Sequence, residues 1–597
     1  MIDVIIIGSG AGGAPIANKL VKAQKSVLIL EKGPKLIPQY QDPCNVSGFK
    51  RDEKYATGAE KIIRVEGVSN NGASYYTSHV EPDLNDEPHI YRHTDKKSGL
   101  HSDKVTIEGY TAQVVGGGTQ IYGAVSLRFS EADFKLKTLN ETRTDLKDDP
   151  DGTVRKEVRD WPISYVDLEP YYVEAERLVG INGEAKNQIK PFSHDNYQKP
   201  LPANPISKYV QQGMTKLGMK MYRTPLAVIT EPHEPSKREA GYPKTSYVNR
   251  YGDPMGYKSS TWVSLLSPIA TEANFEIRCN CNVSHLESNG SKVTKVHYRD
   301  ESGRSQYVEA RLVIVACSAI ESVRLLQLSA LMDPLGFGKR LYQNDLVGKY
   351  FLTHCFGGAE VRVPERYDKS ISLDSDWATD HCATIEFLRE HKIWAGGAIY
   401  NNTSDQALPL SLVRTHGSQD LDTTWNAFTD DNGLTGEELL HFFDRDFGRR
   451  LSVSFMANQV PLKTNRIELH PKIKDKWKRP VAYIIKDWHS HDRYLMDVLA
   501  SQCRNILLSG VPNPEDVSSG GVYLAENAQA RIANHILGGA RFGTDPKDSV
   551  LDVNCRVWEF DNLYVTDGAF MPTSGGANPT LTIQANSFRV AEILKTV

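Results

Sequence analysis

Several residues in this chain have types and spacings that could do chemistry. His535 lies in "ANHILGGARFGTDP", residues 533–546, beside an asparagine and ahead of a glycine-rich turn. A neutral imidazole there could take a proton from a substrate hydroxyl near physiological pH. A histidine flanking glycines is equally explained by loop structure, so the rest of the chain must decide. At the other end, Gly8-Ser9-Gly10-Ala11-Gly12-Gly13 satisfies G-x-G-x-x-G, and Glu31 follows at the end of the next apolar run. Three consecutive glycines, 116–118, lead into Thr119 and crowd backbone N–H groups into one loop. Asn578-Pro579-Thr580 opens the last apolar-periodic segment, after a loop holding Pro572 and two glycines.

The elements that must carry these residues can be read from periodicity. "VIIIG" is a short β-branched run, as expected of a buried parallel strand. Ile16, Ala17 and Leu20 continue at helical spacing, and "SVLIL" is a second strand ending at Glu31. Gly8 permits the tight turn, Gly10 lets backbone approach a pyrophosphate, and Gly13 lets the helix pack closely on the strand. The helix N-terminus offers N–H groups and a positive dipole end to phosphates, and Glu31 can accept from ribose hydroxyls. The unit predicts dinucleotide binding and leaves FAD and NAD open.

Apolar flanks around the 116–119 turn predict a buried loop over a ligand, with Gly117, Gly118 and Thr119 against it. "FEIRCNCNVSHLES" and "SKVTKVHYRD" are extended runs joined by Asn-Gly, a hairpin signal. "ARLVIVACSA" is a third buried strand, and "IESVRLLQLSAL" a helix. This order returns Val283 and the turn at Ala316–Ala319 toward the nucleotide. Near the end, "NLYVT" is a strand running into Asp567-Gly568. The helix opened by Thr580 then aims a positive dipole end from a glycine loop, suited to negative charge on a bound cofactor.

Elsewhere the signals are structural. Residues 35–110 are polar with little periodicity and read as a long loop that wraps a ligand or partner. Residues 136–160 read as a charged, solvated excursion. "WPISYVDLEPYYVEAERLVGI" predicts a turn and a helix with Pro170 in its first turn. In 350–525, "RLSVSFMANQ" and "NRIELHP" alternate and predict a second unit on an antiparallel sheet. "DWHSHDRYLMDVLASQCRNILL" is a helix; its His489-x-His491 pair lacks a third ligand, so no metal is expected.

Composition removes other classes. At 597 residues the chain is too long for one simple core, and 40% hydrophobic with 24% charged residues marks a globular protein. A net charge of −4 leaves no electrostatic footprint for nucleic acid. No basic and then apolar leader opens the chain and no apolar run reaches the ~18 residues of a membrane span, so a cytoplasmic protein without a span is expected. None of the eight cysteines forms C-x-x-C; Cys279 and Cys281 would share one face of a strand as buried thiols.

Taken together, the chain resembles the glucose–methanol–choline oxidoreductases. The resemblance rests on the N-terminal glycines with Glu31, "VVGGGTQIYGAVSLRF", "RDWPISYVDLEPYYVEAE", "VIVACSAIESVRLLQLS", "LVGKYFLTH" and "NHILGGARFGTDPKDSVLD…NLYVTDGAFMPTSGGANPTLTI". It is closest in kind to the sugar-oxidising branch: gluconate, glucose and fructose dehydrogenase flavoprotein subunits, pyranose oxidases and glycoside 3-oxidases.

The resemblance implies an α/β fold: a Rossmann-like FAD-binding domain with an α+β substrate domain on an antiparallel sheet. FAD-domain parts would span 1–200, 266–350 and 526–597. A loop segment would span 201–265 and the substrate domain 351–525. The cofactor would contact Gly8, Gly10, Gly13, Glu31, Gly117, Gly118, Thr119, Val283, Ala316, Asp567, Gly568, Asn578 and Thr580. His535 falls on the family's catalytic base and Asn578 on its partner. Some relatives hold FAD through a histidine where this chain has Ile121, which implies noncovalent FAD. The 234–260 stretch has no cysteine, so the iron–sulfur exit of membrane-linked relatives is absent. Tyr122 and Arg541 fall in matched motifs and are expected to pack rather than catalyse.

The implied reaction oxidises a CH–OH group of a sugar, sugar acid or glycoside, passing a hydride to the flavin, with oxygen, a quinone or a protein as electron acceptor. A nonsugar alcohol is the first alternative. A flavin monooxygenase or halogenase shares only the N-terminal fingerprint, and the His535/Asn578 arrangement argues against it and against an inactive flavin-binding subunit.

Overall fold

The computed structural model describes residues 2–35, 60–76, 83–95, 97–106, 112–240, 256–367, 375–403, 436–446, 448–525 and 535–597. Its first sheet forms around β1 (Ile2–Ile7), whose last four residues are wholly apolar and buried. A glycine turn joins β1 to α1 (Ala14–Lys22), and β2 (Val27–Leu30) returns parallel to β1. The later strands β3 (Phe275–Arg278), β4 (Asn282–Asn289), β5 (Lys292–Arg299) and β6 (Ser305–Val315) complete the order β3-β2-β1-β6-β5-β4. β6 is long enough to serve two ladders. Its first half pairs antiparallel with β5, and its apolar second half pairs parallel with β1. Asn289-Gly290 turns the β4–β5 hairpin, with Gly290 at φ 61. α2 (Ala319–Met332) follows β6 directly.

A second sheet carries β7 (His354–Arg362), β8 (Gly397–Asn402), β9 (Arg450–Asn458) and β10 (Glu515–Gly521) in the antiparallel order β10-β7-β9-β8, extended by Trp377–Thr379 and Tyr222–Arg223. Burial alternates along β9 up to its last residue. Leu451, Val453, Phe455 and Ala457 of β9 are fully buried in a core shared with α3 (Ser490–Gly510). Ser452, Ser454 and Met456 lie half-buried on the other face. The chain then returns to the first sheet: β11 (Leu563–Val565) pairs parallel with β6, and α4 (Thr580–Leu594) packs on α1.

Four local expectations change. Residues 35–110 are not simply loop, since Ile90–Thr94 and His101–Val105 form a hairpin in a separate four-stranded sheet. The "NRIELHP" strand, Arg466–Lys474, joins that sheet rather than the antiparallel one, and its neighbour Pro480–Ile485 pairs parallel with Ile90–Thr94. Pro170 lies inside the helix Tyr165–Val179, because a Ser164/Asp167 capping box starts the helix five residues earlier. Cys279 and Cys281 sit in the turn between β3 and β4, not on a strand, with Asn280 between them at φ 55.

Candidate active site

The glycine turn after β1 is shaped by close approach. Gly8 has φ 102, and a Cβ there would lie 2.3 Å from the Ala316 carbonyl oxygen. A Cβ at Gly13 would lie 2.1 Å from the Gly8 carbonyl oxygen, so bare backbone is what lets α1 start against β1. The second glycine turn meets the first: a Cβ on Gly117 would be 3.2 Å from Gly10 Cα.

Side chains lock the two turns together. The Ser9 amide and hydroxyl donate to Glu31 Oε2 at 3.0 and 2.6 Å, and the Gly33 amide donates to Oε1 at 2.9 Å. The Gly116 amide donates to Ser9 Oγ at 2.9 Å, and the Thr119 hydroxyl donates to Gly116 O at 2.6 Å. The Thr261 amide donates to Thr119 Oγ1 and its hydroxyl to Ser9 O. Burial pushes the Glu31 carboxyl up, opposed by the Ser9 and Gly33 donors. Glu31 thus already serves the protein before any ribose reaches it.

From here a cavity of about 880 Å³ runs along the carboxyl ends of the first sheet, at the upper end of the ~300–1,000 Å³ common for ligand sites. Gly8, Gly10, Glu31, Gly117, Gly118, Thr119, Val283, Ala316, Asp567, Gly568, Asn578 and Thr580 all line it. Gly13 does not; it acts behind the wall, in helix packing. Ile121 and Tyr122 line it too, with the Tyr122 hydroxyl donating to Ser259 O at 2.9 Å.

Glu321 and Arg324 of α2 join Arg479 and Lys32 in the wall. Burial opposes ionisation of Glu321, but Arg324 and His89 outweigh it and hold its carboxyl well below the usual range. Arg324 donates to Asp475 at 2.8 Å, which ties the four-stranded sheet to α2.

Asp567 caps the turn after β11. Its carboxylate accepts from the Ala569 amide at 2.9 Å and from the Ser322 hydroxyl. Burial raises it to about 6, so the folded protein binds this proton more tightly than an unfolded Asp at ~3.9. Its contribution to stability falls as pH rises through that interval. Asp567→Asn should flatten this part of the stability–pH curve relative to wild type, measured by urea unfolding between about pH 4 and 6. An unchanged slope would remove Asp567 from that linkage.

His535 and Asn578 also line the cavity. His535 precedes Leu537–Gly538, which bridges antiparallel to Phe351–Leu352. Asn578 ends a loop pinned by the second sheet. The Gly575 amide donates to Asn458 Oδ1 at 2.7 Å, the Gln459 amide to Ser574 Oγ at 2.9 Å and the Ala398 amide to Gly576 O at 2.7 Å. Asn578 Nδ2 lies 3.5 Å from the Tyr400 hydroxyl, while its buried Oδ1 has no hydrogen-bond partner among the described residues. An imidazole and an amide therefore both line the cavity, with Asn578 two residues before the first residue of α4.

Arg541 is held elsewhere. It donates to the Asp548 carbonyl at 2.8 Å and carboxylate at 2.6 Å, and its guanidinium covers the Tyr350 ring at 3.8 Å. His489 caps α3, and His491 Nε2 accepts from the Trp394 amide. The residues not singled out from sequence are Ser9, Thr261, Tyr400 and His354. Ser9 lies inside the fingerprint, and His354 ends the "LVGKYFLTH" motif. Thr261 and Tyr400 carry no local signal.

Comparison with known proteins decides the family. The GMC oxidoreductase sequence profiles match residues 163–355 and 461–587, together more than half of the chain. The chain belongs to the GMC oxidoreductase family. This GMC oxidoreductase is 26% identical to 6'''-hydroxyparomomycin C oxidase of Streptomyces lividus, over 99% of this chain and 91% of that protein. It is also 26% identical to 2-methyl-1,2-propanediol dehydrogenase of Mycolicibacterium austroafricanum, over 99% and 95%. A solved structure of formate oxidase from Aspergillus oryzae RIB40, described for modification of its FAD, superposes with a TM-score of 0.59 at 13% identity, covering 100% of this chain and 98% of that one. The family acts on CH–OH groups and has the FAD-binding fold seen here, with an antiparallel second sheet. The two meeting glycine turns and the long cavity beyond them fit that cofactor. Among the described residues, no helix is long and apolar enough to cross a membrane.

Proposed function

We propose that this GMC oxidoreductase oxidises a hydroxyl of a sugar, sugar acid or glycoside to a carbonyl, with His535 as general base. The observation that carries the reading is that His535 and Asn578 line the same cavity as the two glycine turns. Bound FAD supplies the hydride acceptor. The His535 imidazole takes the hydroxyl proton, and the Asn578 amide orients that hydroxyl through the Oδ1 left unpaired among the described residues. The half-buried Ser454, with Tyr400 and Asn402, gives the cavity a polar wall suited to a substrate with several hydroxyls. The relative named for 6'''-hydroxyparomomycin C, an aminoglycoside, supports a glycoside. The relative named for a propanediol favours a nonsugar alcohol as the second reading.

The cofactor-lining residues named above would hold the FAD, with Gly13 acting through α1. The noncovalent state is supported by Ile121, a hydrocarbon side chain where some relatives carry the linking histidine. The first and second sheets support the proposed division into FAD-binding and substrate-binding parts, while the four-stranded sheet crosses it by joining residues 466–485 to 90–105; the cytoplasmic setting belongs to the same reading.

A panel of sugars, sugar acids, glycosides and diols, assayed with a dye acceptor and again with oxygen alone, tests the substrate and the acceptor together. Reduction by small diols but by no sugar would overturn the sugar reading. Acid denaturation should release all the yellow colour into the supernatant. Colour left in the pellet would mean a covalent link.

A further inference from the structure

His354, the first residue of β7, is 0% exposed. Its ring lies 5.0 Å from that of His535, centroid to centroid, with the planes at 77°. It also lies against the backbone of Ser574, Gly575 and Ala577, the loop that ends in Asn578. Among the described residues neither ring nitrogen has a partner at full hydrogen-bond geometry, although backbone groups of Ser574, Gly575 and Ala577 lie close enough to make loose hydrogen bonds to the ring. Leaving a buried polar atom unpaired costs on the order of 1–3 kcal/mol, and a phenyl ring of similar shape would avoid that cost. The nitrogens therefore call for an explanation that packing does not give.

We propose that His354 is a positioning residue whose ring nitrogen accepts a hydrogen bond from His535 when His535 carries the substrate proton. The inference rests on the reading of His535 as the base. The distance allows it: with each ring nitrogen about 1.1 Å from its centroid, rotation brings two nitrogens to roughly 2.8 Å, a hydrogen-bond distance.

The acceptor is always available. Burial, reinforced by the neighbouring His535, holds His354 well below the usual histidine range, so it stays neutral with a free lone pair. The buried carboxylates on neighbouring segments already have partners. Asp133 is engaged by Asn458 Nδ2 at 2.8 Å, and Asp492 accepts from the Val460 and His489 amides beside Cys355 and Lys486. A buried neutral imidazole stabilises the charged form of the base without competing for its proton.

Two variants test this in the holoenzyme. His354→Phe keeps the ring and removes the nitrogens; His354→Gln restores an acceptor. The hydrogen bond to a charged group predicts a fall of about 10- to 100-fold in the limiting rate of flavin reduction for His354→Phe, with little change in substrate KM. The apparent pKa of the rising limb should move down, because the protonated base has lost its acceptor. His354→Phe should melt at or above the wild-type temperature, and His354→Gln should recover most of the rate. A His354→Phe enzyme with the wild-type rate and pH profile overturns the proposal. So does an equal loss in both variants accompanied by lower Tm, which marks packing alone. If His535→Ala also reduces flavin at the wild-type rate, the base assignment itself has failed. If His535→Ala is slow and His354→Phe is not, only the present inference falls.

Discussion

His535→Ala should slow flavin reduction by about 10²–10⁴-fold while FAD stays bound. The magnitude is that of losing a positioned general base. The separation of effects follows from where the parts lie. His535 stands just before Leu537–Gly538, held by the bridge to Phe351–Leu352, whereas the glycine turns belong to the β1–α1 connection and the 116–119 loop. Removing the imidazole leaves those turns and their Ser9, Glu31 and Thr261 hydrogen bonds untouched. Substrate KM should change less than the limiting rate, since the hydroxyl retains Asn578. In wild type the rate should rise with pH as His535 loses its proton and then level off; in the variant that limb should vanish. Rapid mixing with the best substrate from the panel gives the rate directly. A variant reduced as fast as wild type would take His535 out of the chemistry.

Gly13→Ala should cost the protein its flavin, although Gly13 does not border the cavity. The added methyl carbon would sit 2.1 Å from the Gly8 carbonyl oxygen and 2.9 Å from Ile6 Cγ2. Neither is the free end of a flexible side chain, so α1 must move off β1. Overpacking of this kind costs about 1–3 kcal/mol, and the shift displaces the helix N-terminus that would face the cofactor phosphates, so bound flavin should drop roughly tenfold or more. Gly118→Ala is the contrast. A Cβ there meets no protein atom within 4 Å, so the fold should be kept and any loss should fall on cofactor affinity alone. Flavin content by absorbance, set beside Tm, separates the two. A Gly13→Ala protein with full flavin and wild-type Tm would contradict the packing argument.

The parts legible in the sequence were those with short-range signals. "VIIIG", the glycine fingerprint, the helical spacing of Ile16, Ala17 and Leu20, and "SVLIL" are each local, and they fold as a contiguous strand–turn–helix–strand unit. The Asn289-Gly290 hairpin and the alternation of "RLSVSFMANQ" are equally local. The parts that were not legible depend on partners far along the chain. Ile90–Thr94 pairs with His101–Val105 on one side and with Pro480–Ile485 on the other, and a polar stretch gives no hint of this second partner nearly four hundred residues away. Pro170 misled because a proline suits a first turn, while the Ser164/Asp167 box fixed the helix start.

The same division holds for the site. The sequence alone determined which residues can do the chemistry: a glycine turn with Glu31 for a dinucleotide, a histidine in a glycine-rich segment and an asparagine at a helix start. Side-chain type and local spacing suffice for that. Only the tertiary structure decided that these residues share one cavity. It set Tyr400 3.5 Å from Asn578 and the Asn458, Gln459 and Ala398 bonds on the loop before it. It also buried His354 beside His535. Those contacts join β7, β8 and β9 to the C-terminal loop across more than a hundred residues, and burial and orientation at such a meeting belong to no single segment.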